Sequence, residues 1–528
     1  MSDTQSTQVI LATSTRSQHD WRLKVVVFVS GAVLMGLEMT GSRILAIHFG
    51  SSIYVWGAII GIFLAALSIG YYSGGQLADR RPTFYPLTVL LLIAGGWLML
   101  IPFYANPVCR LLLRFNPGER LGPLLATVIL FGGPSVLLGM VSPYAVRLAA
   151  QTVERIGNVS GSLYALSTFG SIAGTLLTAF WLVPALGARA LLQILGLCLL
   201  LLPLVVAPWS RRRSQLVGGV VVFVSFVLLV SYVRNVPAQG VIYEGDSAYH
   251  YIKVVEDKQR NTRFLQFNNY IEGAIDLNPP YDTRVSYTNA FHLARIFKPA
   301  LRNILIIGGG GGIGARKFVT DDKNVVVDLI EIDQRVIDLG LKYFYLEPGD
   351  RLRIHVEDGR SFVRRSNTKY DLVILDAFTI GGQIPFHLTT REFFHEIEQT
   401  LSPDGVVLAN INGSMRGRRS RIMRSEYKTL ATVFDNVYVF PHLHETERRE
   451  GNSLDQDRSR SVILVAVNGD GRWTRDSVVA VATRLAQSNV VRTPTFLEDA
   501  KQFYEPHLPT DDVHLLTDDY APVDTMVF

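Results

Sequence analysis

Cysteine is almost absent from this chain: its 528 residues include only Cys109 and Cys198. Two thiols exclude a disulfide framework and a cysteine-built zinc site, so neither staples nor structural metal organise the fold. The eleven histidines are scattered. His387, His442 and His444 lack metal-ligand spacing, and no metal site is expected. Charge is scarce over the first half, where apolar stretches of about 18 to 25 residues, the length a bilayer core requires, recur from Leu23 to Val233. Mean hydropathy for the whole chain is +0.23, too apolar for an ordinary soluble protein. A small-residue cleavage pattern is also missing from the first apolar segment, which is too long for a cleaved signal peptide, so a retained anchor is expected.

What is present divides into four parts. Residues 1–20 read as a polar, disordered tail. Residues 21–234 read as a transmembrane domain of about seven helices, beginning near Leu23, Ser52, Phe84, Leu121, Leu163, Leu191 and Leu216. Residues 235–300 read as a small region of alternating apolar residues, and residues 301–528 as an α/β domain. Basic flanking residues are more numerous on the side holding Arg22, Lys24, Arg80, Arg81 and Arg147 than on the side holding Arg110, Arg120 and Arg189, which favours a cytoplasmic N-terminus. Seven crossings would then leave the C-terminal half outside. Gly161, Gly170 and Gly174 suit close helix packing. The Gly75 to Arg81 stretch resembles the short cytoplasmic loop of major facilitator transporters, with a tight glycine turn.

The second half carries the chemistry. ILII (304–307) is a buried strand, six glycines broken only by Ile313 follow it through Gly314, and a helix begins near Ala315. VVVDLIEID (325–333), RLRIHVEDG (351–359), YDLVILDAF (370–378) and GVVLANI (405–411) supply further strands, with helices at Gln334 to Phe344 and FFHEIEQTL (393–401). YVF and SVILVAV (438–440 and 461–467) finish the sheet. This alternation predicts a doubly wound parallel sheet, with ligands at the carboxyl ends of its strands.

A glycine turn followed by an acid at the end of the next strand fits both dinucleotide and S-adenosylmethionine sites. Gly308 and Gly310 let a ligand touch the backbone, and Glu331 is placed to grip two ribose hydroxyls. The third strand ends in Asp358-Gly359, a carboxylate placed to accept from an adenine amino group. The fourth ends in Asp376, facing the reactive end of the ligand. Three acids at successive strand ends favour a nucleoside sulfonium over a dinucleotide.

These blocks resemble the spermidine synthase (polyamine aminopropyltransferase) family, in particular its membrane-fused bacterial members. ILIIGGGGGIGARKF resembles its glycine loop, DLIEID its ribose strand, HVEDGRSFV its adenine strand, and YDLVILDAF with LTTREFF its catalytic strand and gate. SAYHYIKV, RFLQFNNYIEGA and YDTRVSYTNAFHLA resemble its lid. The resemblance implies a Rossmann-like, class I S-adenosylmethionine-type fold with a β-rich N-terminal lid. It makes Asp376 the acid that takes the amine proton, and His250 a donor contact standing where the family has Gln. Tyr287 becomes an acceptor contact, and Thr379 and His387, the latter on the gate loop, are expected to contact substrate as well.

Two family carboxylates are replaced, one in the glycine loop by Gly311 and one three residues after the catalytic acid by Thr379; Glu272, Asp282, Asp518 and Asp519 are the candidate substitutes. No tightly bound cofactor is implied; decarboxylated S-adenosylmethionine, or S-adenosylmethionine itself, is the co-substrate. Expected partners are a small amine and the lipid bilayer, with room for a homodimer and no nucleic acid. The Arg416 to Arg424 cluster reads as a solvated loop or a lipid contact. Methyl transfer, and a non-enzymatic carrier or sensor, stand as alternatives. Location in the cell (inner) membrane with a cytoplasmic catalytic domain follows from the cytosolic origin of sulfonium nucleosides.

Overall fold

The computed structural model describes residues 2–528 except 51, 116, 151–155, 207–210, 235–239, 269, 379–383, 444–456, 470, 489, 524–525 and 527–528. Thr379 is therefore outside the described residues. Two units are present, Met1–Ala238 with Asp246–Ala248, and Gln239–Gly245 with Tyr249–Phe528.

The first unit is helical. Its first helix, Ser2–Phe49, takes in the polar stretch expected as a tail; residues 2–20 contain no Gly or Pro to end it. By length and composition, six helices among the described residues can cross a membrane: Trp21–Phe49, Ile53–Arg80, Phe84–Phe115, Arg120–Ala149, Ile156–Leu186 and Ala188–Val206. The seventh expected span is the helix Arg211–Arg234, whose described apolar part, Gly219–Ser231, is shorter.

Small residues set the helix spacing. A Cβ on Gly170 would lie 2.1 Å from the Phe28 carbonyl oxygen, and one on Gly174 2.2 Å from that of Ala32. These two glycines let the fifth helix lie against the first, whereas Gly161 faces open space and contributes no such contact. The helix Ile53–Arg80 runs straight through Gly75, so the tight turn expected there is displaced to the residues after Arg81. That turn is held by the Tyr144 hydroxyl, which donates to the Thr83 carbonyl at 3.0 Å, and Asp79 pairs with Arg147 at 2.9 Å.

The second unit contains two sheets. Strands β1 (Val241–Asp246), β2 (Tyr251–Asp257), β3 (Thr262–Phe267) and β4 (Tyr270–Asp276) form a four-stranded sheet in chain order. Ile252, Val254 and Leu265 from this lid bury themselves against Ile313, Val336 and Phe344, so the lid is seated on the glycine loop and the helices around it.

The larger sheet has the order β10-β11-β9-β8-β5-β6-β7. Its strands are β5 (Asn303–Ile307), β6 (Val326–Glu331), β7 (Leu352–Val356), β8 (Tyr370–Leu375), β9 (Leu401–Gly413), β10 (Asn436–Pro441) and β11 (Arg460–Val467). Five strands, β5 to β9, are parallel. The doubly wound parallel part is as expected, and strand β11 adds an antiparallel edge, running against both β9 and β10. Antiparallel neighbours need no crossover helix. Ile304, Leu305, Ile306 and Ile307 are all buried, their side chains divided between two apolar cores. A strand covered on both faces reads as a continuous apolar run, and β5 does. The chain reverses at β5, with β6 and β7 on one side and β8 and β9 on the other, which opens a crevice at the carboxyl ends.

Candidate active site

The glycine loop leads from β5 into the helix Ile313–Asp321. Gly308 has φ +77, and a Cβ there would lie 2.5 Å from the Asp376 carbonyl oxygen. Gly310 has φ +46, and its Cβ would meet the Glu272 carbonyl oxygen at 2.9 Å. These two glycines let the loop pass between the end of β8 and the lid. Gly359 is likewise required for packing, since a Cβ would meet Ile307 Cγ2 at 2.4 Å.

The loop, the ends of β5 and β8 and the lid enclose a cavity lined by Glu272, Asp376, Tyr287, Phe291, Gly309 and Gly310 among others, with no lysine or arginine among its described lining residues. Asp376 is buried. Its Oδ1 accepts from Asn410 Nδ2 at 2.8 Å, and the Tyr287 hydroxyl lies beside it. Burial pushes the Asp376 carboxyl up to about 7, the charge of Glu331 adds to the rise, and the Asn410 bond and the Tyr287 hydroxyl oppose it. Tyr287 donates to the Glu272 carbonyl at 3.1 Å and meets Phe291 edge-on with centroids 5.8 Å apart.

Glu331, at the end of β6, is buried; its Oε1 accepts the Asp333 N–H at 3.0 Å. Burial raises it to about 7, opposed by backbone N–H groups of Asp333, Ile332 and Gly309. Glu272 is raised furthest, to about 8, by burial and then by the charges of Asp376 and Glu331. Like charges packed in a dry site hold protons until a cation arrives.

Asp358 caps the helix Gly359–Arg365, accepting from the Ser361 N–H at 2.8 Å. Its Oδ2 meets His387 Nε2 at 2.9 Å. Partial burial raises the Asp358 carboxyl, but the bonds from Ser361 and His387 outweigh it and hold the group below the usual carboxylate range. His387 thus stands at the expected adenine end of the crevice, apart from the lining of the Asp376 cavity. His250 is buried in the lid and stacks on Phe267, centroids 4.4 Å apart and planes within 13°.

Among the four candidate substitute acids, Glu272 alone lines the cavity. Asp518 is committed to Arg360, with Oδ1–Nη1 at 2.7 Å and Oδ2–Nη2 at 2.8 Å. Arg360 also forks onto Glu396 at 2.9 and 2.7 Å, so the Asp518 segment is a docked tail. Asp519 is exposed, and the exposed Asp282 lies 3.8 Å from Lys317. Arg424 of the basic cluster is buried and pairs with Asp512; Arg416, Arg418, Arg419 and Arg421 are exposed. Asn410 was missed in the sequence, because a lone amide near the end of a predicted strand carries no signal of its own.

A glycine loop, an acid at each of three strand ends and an acidic cavity under a β lid thus meet at the carboxyl edge of the sheet. A family model, the spermine/spermidine synthase domain, matches residues 286–442. The polyamine aminopropyltransferase of Vibrio vulnificus is 33% identical over 215 residues, covering 40% of this chain and 70% of that protein. Polyamine aminopropyltransferase 2 of Aquifex aeolicus is 22% identical over 431 residues, covering 79% of this chain and 84% of that one. That match is longer than the whole of residues 239–528 and so extends into the helical half. A probable spermidine synthase of Corynebacterium glutamicum superposes with TM-score 0.40 and 22% identity, covering 53% of this chain and 99% of that one. The chain belongs to the polyamine aminopropyltransferase family, whose members are enzymes; the reading as a non-enzymatic carrier or sensor is thereby set aside.

Proposed function

We propose that this protein is a membrane-bound enzyme that transfers the aminopropyl group of decarboxylated S-adenosylmethionine to a small amine. The observation that carries this reading is the cavity in which Glu272, Asp376 and Tyr287 converge without a lysine or arginine among the described lining. Such a site favours a sulfonium donor with a cationic tail and an amine acceptor.

In this reading Glu331 holds the ribose hydroxyls, Gly308 and Gly310 bring backbone against the donor, Asp358 and Gly359 meet adenine, and His250 contacts the donor from the lid. His387 orients Asp358, Tyr287 contacts the acceptor, and Thr379 belongs to the gate. Glu272 supplies the carboxylate missing from the loop. Gly311 has φ +80, and a Cβ there would sit 3.2 Å from Leu265 Cδ2, so an acid at 311 would start in an apolar, left-handed position.

The ionised Asp376 takes a proton from the acceptor amine. The freed nitrogen lone pair attacks the carbon beside sulfur, the C–S bond breaks, and its electrons leave on sulfur as methylthioadenosine. The sulfonium is already a good leaving group, so alignment and proton removal are the main demands on the protein. Intact S-adenosylmethionine fits less well, because its carboxylate would enter a cavity lined by Glu272 and Asp376. Incubating the detergent-purified protein with both donors and an amine pool, followed by mass spectrometry, is expected to yield methylthioadenosine. S-adenosylhomocysteine instead would replace this reading with methyl transfer.

Large apolar side chains such as Ile53, Tyr72, Phe115 and Phe180 are exposed on the helical unit, which supports a bilayer around it. Six crossings return the chain to its starting side, the cytoplasm by the charge rule. The Gly219–Ser231 stretch, roughly 20 Å long at 1.5 Å per residue, would then lie at the interface. A C-terminal fusion to a reporter that works only in the cytoplasm is expected to be active; activity of a periplasm-only reporter would reverse the topology.

A further inference from the structure

Asn410 is the side chain that holds Asp376, and the question is what holds Asn410. Its amide nitrogen donates to Asp376 Oδ1 at 2.8 Å, but its carbonyl oxygen, also buried, has no hydrogen-bond partner among the described residues. Asn410 and Glu426 both line a second cavity, together with Leu375, Ala377, Ala409 and Leu388. Its volume is about 10 Å³, room for one water at most. Glu426 projects from the helix Arg421–Leu430, is 1% exposed, and its Oε1 likewise has no partner among the described residues.

An ionised carboxylate in so apolar a space, with no cation paired to it among the described residues, would be strongly destabilising. Burial accordingly raises Glu426 well above the usual carboxylate range. A neutral carboxylic acid has one O–H to donate, and the unpartnered acceptor in the same cavity is the Asn410 carbonyl oxygen.

We propose that Glu426 is a positioning residue, donating its O–H to Asn410 Oδ1 directly or through one water and thereby keeping the Asn410 NH₂ turned toward Asp376. The inference rests on the reading of Asp376 as the base. Without Glu426 the amide is free to turn over and present its oxygen to the carboxylate. That repulsion raises the pH at which Asp376 ionises, so the base is lost over part of the working range.

The test uses the full-length protein in detergent and compares Glu426→Gln, Glu426→Leu and Asp376→Asn. The Gln variant keeps an N–H donor and is expected to stay within about threefold of the parent. The Leu variant is expected to lose about tenfold or more in kcat, a step of roughly one pH unit appearing in the acidic limb of kcat/KM, with donor KM little changed.

A Leu variant with the parent's rate and pH profile overturns the proposal, as does a change confined to the acceptor KM, which would make Glu426 a substrate contact. Parent-like activity in Asp376→Asn would instead overturn the reading on which it rests. Should the Leu variant not fold, infrared difference spectra of parent minus Glu426→Gln at about pH 9, above the range in which the Asp376 cavity's acids titrate, decide the matter. A protonated-carboxyl band supports the assignment and its absence overturns it.

Discussion

Asp376→Asn is expected to lower kcat about a hundredfold to ten-thousandfold, the range typical of a lost general base, while donor KM changes little. The amide can keep the bond from Asn410 on its oxygen, and it places an N–H toward the Tyr287 hydroxyl, so the cavity keeps its shape. What disappears is the group that accepts the amine proton in the proposed reaction. In the parent, burial holds Asp376 at about 7, so kcat/KM is expected to fall as pH drops through that region and the base becomes protonated. Glu331, also near 7, and Glu272, near 8, titrate with it, and the acidic limb reports the group of acids as a whole. Single-turnover rates across pH measure both effects. A variant within threefold of the parent would remove Asp376 from the mechanism.

Glu272→Gln is expected to act on binding and on stability in opposite directions. Donor KM should rise about tenfold to a hundredfold, because a carboxylate opposite a cation in a closed site is worth roughly 1.4 to 3 kcal/mol. The folded protein, however, should tolerate high pH better. Glu272 is raised from 4.5 to about 8 in the folded chain, so between those values the folded state holds a proton that the unfolded state has released. Stability therefore falls as pH rises through this window, and the full cost is present above about 8.

The Gln variant lacks that titration and should melt higher than the parent at alkaline pH, by a few degrees for each ~1 kcal/mol recovered. Melting curves with and without donor at two pH values separate the two effects. An unchanged KM would mean that the donor's cationic tail lies elsewhere.

Strands β5, β6 and β8 were legible because each is buried on both faces and so appears as a run of Ile, Leu and Val, whereas β7 is part-exposed and shows as alternation. Glu331, Asp358 and Asp376 were legible for a related reason: an acid that ends a strand of this sheet must stand at its carboxyl edge. Glu272 was only one of four acids in reach along the chain, because nothing in the order of residues says which of them turns inward. Asn410 and Glu426 were not legible at all, since their roles depend on a cavity that forms only when β8, β9 and the helix Arg421–Leu430 pack together.

The reversed β11 escaped for a similar reason, as an apolar strand has the same pattern whichever way it runs. The count of crossings is the mirror case. Hydropathy marked seven apolar segments, while length within the folded helices divides six from the seventh.

The sequence by itself determined the two-part plan, the Rossmann-like order of strands and the three strand-end acids, because these depend on apolar periodicity and on neighbours along the chain. Only the tertiary structure decided that Gly308 and Gly310 make room for Asp376 and the lid, that Glu272 faces the cavity while Asp518 is taken by Arg360, and that Asn410 stands behind Asp376. Those outcomes turn on distances between residues far apart in the chain and on the low dielectric that packing creates around them, neither of which exists until the chain has closed on itself.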